Sequence, residues 1–166
     1  SKQQLEAGDM VIKDVDKKAV VMKVVETRLP SRVSNCKITL IQSIPKKDKM
    51  DYVVEKATEL GAHSIMPIVT ARTIVRWSRE KKARAVDRWK RIAREASKQC
   101  ARADIPDIQE IKDYDEVIRT LTEYDLVLIA TLAGADTIKM KDAVKDFKGG
   151  RIAVLMGIEG GHAIED

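Results

Sequence analysis

The chain has 166 residues, room for one ordinary domain or for one domain with part of another. Hydrophobic residues make up 44% and charged residues 34%, which reads as a globular chain able to close a core without disulfide staples. Net charge is +5 with a pI of about 9.2, no stretch approaches the roughly 18 apolar residues of a membrane span, and Ser1-Lys2-Gln3-Gln4 holds no apolar signal core, so a cytoplasmic location is the default expectation.

The first predicted element is a β-hairpin over 9–25, with Met10-Val11-Ile12 leading in, a polar turn at 14–18, and Ala19 to Val25 returning. Two strands alone are marginal in water, so the hairpin reads as the tail of a small barrel, followed by a linker at Thr27 to Arg32. Ile38 to Ile41 is a strand. Lys46 to Leu60 is a helix with Met50, Val53, Val54, Ala57 and Leu60 on one face and Gly61 ending it. Ser64 to Val69 is a second strand, for which Pro67 argues an edge or an end. Residues 80–102 form a long helix whose apolar stripe is Ala83, Val86, Trp89, Ala93, Ala96 and Cys100. A short helix at Tyr114 to Leu121, an apolar strand at Asp125 to Ala130, a helical turn around Lys139 to Val144 and a strand at Arg151 to Met156 complete the chain. Strands alternating with helices, the later strands almost wholly apolar, imply an α/β fold with a parallel sheet covered on both faces.

Three features carry possible chemistry. The last strand runs directly into Gly157-Ile158-Glu159-Gly160-Gly161. Ligands of open α/β sheets sit beyond the carboxyl ends of the strands, and glycines there let backbone approach a ligand or take positive φ. The spacing is neither GxGxxG nor a phosphate loop, and a plain tight turn is an equal reading of the glycines alone. Thr131, Leu132 and Ala133 follow the other apolar strand and should lie beside that loop, although an ordinary connection fits them as well. The third feature is charge: from Arg76 to Arg102 there are eleven basic residues against three acidic ones, a net +8, while the remainder is close to neutral. With acids so scarce, intrahelical pairing does not account for the charge, and a polyanionic partner is expected, with Arg76, Arg84, Arg88, Arg91, Arg94, Lys98 and Arg102 as candidate phosphate contacts. Trp89 belongs to the apolar stripe; Trp77 reads as a base-stacking residue or a packing plug. Cys36 and Cys100 stand far apart in no CxxC spacing, and His63 and His162 have no partner at ligand spacing, so neither a disulfide framework nor a metal site is expected.

Several stretches together resemble one family. Lys46-Lys47-Asp48-Lys49-Met50-Asp51, Glu55 to Gly61 and Ile65-Met66-Pro67 resemble the opening of the catalytic domain of the ribosomal RNA small-subunit uridine-N3 methyltransferases, which are of the SPOUT class. Arg88-Trp89-Lys90-Arg91-Ile92-Ala93, then Glu95 to Cys100 with Arg102 and Pro106, resemble that family's long central helix, and 157–161 resemble its Gly-Pro-Glu-Gly-Gly cofactor loop, with Ile158 in place of the proline. The resemblance implies a trefoil-knot domain at 33–166 that binds S-adenosylmethionine, preceded at 1–32 by part of a PUA-like barrel. It further implies a homodimer acting on RNA of the small ribosomal subunit, and a C-terminal knot segment beyond Asp166. It places the cofactor against Gly157, Ile158, Glu159, Gly160 and Gly161, and Thr131, Leu132 and Ala133 join them as candidates from their place at the end of the neighbouring strand. As catalytic candidates, Arg102 would stabilise charge developing on the uracil carbonyls, and Glu159 would accept the N3 proton or hold the cofactor. Two other functions compete: a non-catalytic RNA-binding module built on the basic helix, and an enzyme of the same fold acting on a different RNA. The glycine loop favours an enzyme over the module, which has no need of it.

Overall fold

In a computed structural model of the chain, residues 7–15, 20–28, 34–70, 78–130 and 137–157 are described. β1 (Ala7–Val15) and β2 (Val20–Arg28) form the expected hairpin, antiparallel and irregular in register between Asp9/Met10 and Ile12/Asp14.

The rest is one sheet with its helices. β3 (Cys36–Ser43), α1 (Lys49–Glu59), β4 (Ser64–Val69), α2 (Arg79–Gln99), β5 (Asp107–Ile108), β6 (Lys112–Asp113), α3 (Tyr114–Ile118), a single 3-10 turn (Leu121–Glu123), β7 (Leu126–Ile129), α4 (Met140–Ala143) and β8 (Gly150–Met156) follow in chain order. The strand order is β5-β4-β3-β8-β7, with β6 also on β4, and the described pairs of this sheet are all parallel. The last strand, β8, is thus inserted between β3 and β7.

Side-chain alternation divides the core between the two faces. On one, α1 and α2 bring Met50, Val54, Val86, Trp89 and Ala93 onto Ile65 and Ile108. On the other, α3 and the 3-10 turn cover Ile41, Met66, Ile68, Ala153 and Leu155 through Val117 and Leu121. The coverage of both faces matches the expectation from apolar strands.

Four local expectations change. Leu60 is 88% exposed, because the helix ends before it and Gly61, at φ +93°, turns the chain away. On α2, Ala83 and Cys100 are exposed, whereas Ser97 is buried. β5 and β6, two residues each, carry no hydropathy pattern and were not foreseen. Finally, the edge expected at Pro67 is local: β4 has β3 on one side and β5 and β6 on the other, but neither β5 nor β6 reaches Pro67. The Ile65 carbonyl accepts from Gln109 N–H on the outer side of β4, and two residues on, Pro67 turns its nitrogen to that same side. There it falls in the gap between β5, which pairs with Ser64 and Ile65, and β6, which pairs with Ile68 and Val69. The missing N–H costs no ladder bond.

Candidate functional site

Because the strands are parallel, Ser43, Val69, Ile129 and Met156 all end at one edge of the sheet. Ala130 N–H donates to the Leu155 carbonyl at 2.9 Å, carrying the β7–β8 pairing to the end of both strands. The ends of β7 and β8, at Ala130 and Gly157, therefore lie side by side. Gly157 has φ +75°, and a Cβ there would stand 3.0 Å from Gln42 Nε2 and 3.4 Å from Ser43 Cβ. The position needs glycine twice over, for its backbone conformation and for the closeness of β3. Gln42 fixes that approach: its amide donates to the Ser43 carbonyl at 2.8 Å and reaches the Met156 carbonyl at 3.5 Å, tying the ends of β3 and β8. Sequence reasoning missed Gln42; the signal was a long polar side chain closing the run Ile38-Thr39-Leu40-Ile41. Thr131, Leu132, Ala133, Ile158, Glu159, Gly160 and Gly161 lie outside the described residues.

Arg102, expected as a catalytic and phosphate-binding residue, stands away from the glycine edge and is already engaged by the protein. Its guanidinium donates to the Thr58 carbonyl at 2.6 Å, the Ala62 carbonyl at 3.1 Å and both Asp104 carboxylate oxygens at 3.0–3.1 Å. The side chain is only 13% exposed. Thr58 and Ala62 bracket the turn entering β4 at its amino end, opposite the edge that carries Gly157. A fork already occupied by two carbonyls and a carboxylate clamps the end of α2 onto the end of α1.

The basic helix is also sorted by the structure. Ser78 caps α2, its hydroxyl accepting from Lys81 N–H at 3.3 Å. Its own amide and the Ser78 hydroxyl hold the Glu80 carboxyl below its ordinary value. Arg88 pairs with Asp51 and, at 3.8 Å, with Asp48, while the Trp89 indole N–H donates to Asp51 at 3.2 Å. Arg88 is thus committed to α1, and the surplus of charge is met partly by acids on another helix. Lys98 pairs with Glu95 at 2.8 Å. Arg84, Arg91 and Arg94 stay exposed, with no ion-pair partner among the described residues; Arg76 and Trp77 lie outside them. Lys56, on α1, has its ammonium pKa raised by Glu55 and then Glu59, a solvent-exposed triplet away from the glycine edge. Among the described residues no group of side chains could hold a metal ion, and no helix is long and apolar enough to cross a membrane.

A parallel α/β sheet whose interior strand β8 ends on a constrained glycine beside a second strand end, with a cationic helix on one face, has the form of the α/β domains that bind ligands at the carboxyl edge. Residues 32–166 match the model of the RNA methyltransferase domain, and the chain belongs to that family. It is 27% identical over 154 residues to ribosomal RNA small subunit methyltransferase E of Bacillus subtilis, covering 90% of this chain and 60% of that protein. To the protein of the same name from Aquifex aeolicus it is 32% identical over 152 residues, 89% of this chain and 61% of the relative. The chain thus spans about 60% of the length of these relatives. Among solved structures, a Legionella pneumophila methyltransferase with bound SAM superposes with a TM-score of 0.75 at 31% identity, over 94% of this chain and 62% of that one. The Neisseria gonorrhoeae ribosomal RNA small subunit methyltransferase E bound to S-adenosyl methionine gives 0.73 at 25% identity, over 92% and 62%.

Proposed function

We propose that the protein methylates small-subunit ribosomal RNA at N3 of a uridine, using S-adenosylmethionine. The observation that carries this is Gly157 at φ +75°, held against Gln42 where β8 ends beside β7. This edge is built for close backbone approach, and it is here that the family's glycine-rich cofactor loop continues in the sequence. Relatives that share the fold are solved with S-adenosylmethionine bound, which supports the same cofactor here.

When bound, the cofactor supplies a methyl group already activated on a sulfonium. The chain must then hold the uracil in line and take up the N3 proton. Glu159, inside the glycine loop, is the proposed proton acceptor. Its carboxylate would take up the proton that N3 gives up as the methyl is accepted there. Thr131, Leu132, Ala133, Gly157, Ile158, Gly160 and Gly161 are the proposed cofactor contacts. Arg102 takes no part in the transfer and serves as the clamp at the far edge. Arg84, Arg91 and Arg94 are the proposed phosphate contacts. The residues 33–166 are proposed to form the SPOUT-type knotted domain and the hairpin to belong to a PUA-like barrel, in a cytoplasmic homodimer.

Calorimetry with S-adenosylmethionine tests the cofactor edge. Gly157→Val should abolish binding while costing about 1–3 kcal/mol of stability, and wild-type affinity in a folded variant would refute the assignment. Mass spectrometry of small-subunit RNA from cells with and without the gene tests the product. Loss of one N3-methyluridine is expected, and an unchanged RNA that the protein still binds would mark a non-catalytic module.

A further inference from the structure

Charge on α2 does not face one way. Arg84 and Arg91 point outward, whereas Lys90 and Arg94, one turn apart, border a groove of about 210 Å³ between the helix and the sheet edge. Ile105, Pro106, Asp107 and Ile108 form its other wall. Both cations are exposed and have no ion-pair partner among the described residues, and Ile105 leaves 49% of its surface open. The floor is the edge strand β5. Asp107 N–H and Gln109 N–H both turn inward, to the His63 and Ile65 carbonyls of the β4 side. By alternation, the peptide N–H of Ile108 between them turns outward.

We propose that this groove is a subsite for the sugar–phosphate backbone of single-stranded RNA, a deepening that rests on the RNA-methyltransferase function proposed above. Lys90 and Arg94 neutralise one or two phosphates, and the exposed apolar side chain of Ile105 carries a ribose or base. The Asp107 carboxylate accepts a 2′-hydroxyl, and the outward Ile108 N–H remains for a further acceptor. The mixed charge selects this ligand: an acidic peptide would set carboxylates against Asp107, whereas ribose-phosphate alternates an anion with a hydroxyl donor.

The subsite lies on the strand three places from β8 and near the amino end of β4. With strands about 4.8 Å apart and a rise of about 3.3 Å per residue, it is on the order of 20 Å from Gly157. It therefore holds RNA flanking the target nucleotide and not the target itself. It should govern affinity and leave the transfer step alone.

The test compares Lys90→Gln/Arg94→Gln with Arg84→Gln/Arg91→Gln in binding a single-stranded segment of small-subunit RNA across a salt series. The groove variant should bind roughly tenfold more weakly, with the salt slope smaller by about 1.4 if two phosphates are lost. Each single variant, Lys90→Gln or Arg94→Gln, should lose about half of that. KM for RNA should rise with kcat and S-adenosylmethionine affinity unchanged. Asp107→Ala should reduce the preference for RNA over DNA of the same sequence. Wild-type affinity and slope in the groove variant, with loss confined to the Arg84/Arg91 variant, would overturn the subsite and Arg94 as a phosphate contact and leave the proposed methylation standing. A wild-type protein that binds no RNA would overturn both.

Discussion

Asp51 accepts from the Arg88 guanidinium and from the Trp89 indole N–H, so one carboxylate joins α1 to two successive residues of α2. Trp89 is 3% exposed, and the loss of Asp51 removes this acceptor from its indole N–H. Asp51→Ala should destabilise the fold by about 2 kcal/mol, read by urea denaturation, whereas Asp51→Asn, which keeps an acceptor, should recover part of the loss. Equal stability of Asp51→Ala and wild type would mean that the helices are held by apolar contacts alone. Ser97 is the reverse case: its hydroxyl is buried with no hydrogen-bond partner among the described residues. Ser97→Ala should be neutral or stabilising by up to about 1 kcal/mol. Arg102 shows why residue roles were the least legible part of the sequence. A cation at the end of a basic run has the composition of a phosphate contact, and only the tertiary approach of the Thr58 and Ala62 carbonyls turns it into a clamp. The backbone constraint at Gly157 and the burial of Trp89 were legible because glycine and tryptophan leave few alternatives at such positions.

α2 was legible as an element, since its apolar period runs for several turns, whereas its start at the Ser78 cap was not read. The period gave Val86, Trp89, Ala93 and Ala96 as buried. It failed at the helix ends, where Ala83 and Cys100 run past the area that α1 and the sheet cover. β5 and β6 were illegible because two residues make no period; their pairing is dictated by β4. The cap gives α2 a pH dependence. The Glu80 carboxyl lies below its ordinary value of 4.5, held there by its own amide and the Ser78 hydroxyl. A lowered folded-state pKa means stabilisation that is fully present above the unfolded value and lost as pH falls through the folded one. The first turn of α2 should therefore fray on acidification below about pH 4.5, and not at alkaline pH. An NMR titration of Glu80 should show a midpoint under the ordinary value that Ser78→Ala moves back up. Ser78→Ala should also cost about 1 kcal/mol, and an unshifted midpoint in that variant would remove the cap as the cause.

At the scale of the whole molecule, the parallel α/β class was legible from the alternation of elements, but the place of β8 was not. Nothing in Arg151-Ile152-Ala153-Val154-Leu155-Met156 says that it enters between β3 and β7; apolar on both faces, it is only required to be interior. That insertion joins the constrained glycine to the β7 end, and with it the β7–α4–β8 unit keeps Ile129, Ile138, Met140 and Met156 between 38% and 74% exposed. The proposed homodimer offers a cover for these exposed apolar side chains. At micromolar concentration the full-length protein should sediment at twice its monomer mass. Ile138→Asp/Met140→Asp should shift it toward the monomer, because each carboxylate would have to be desolvated at the contact. Neither residue supports the fold from within, so the monomeric variant should keep the wild-type circular dichroism spectrum. A dimer indifferent to both charges would place its contact on another surface, and a wild-type monomer at these concentrations would withdraw the dimer altogether.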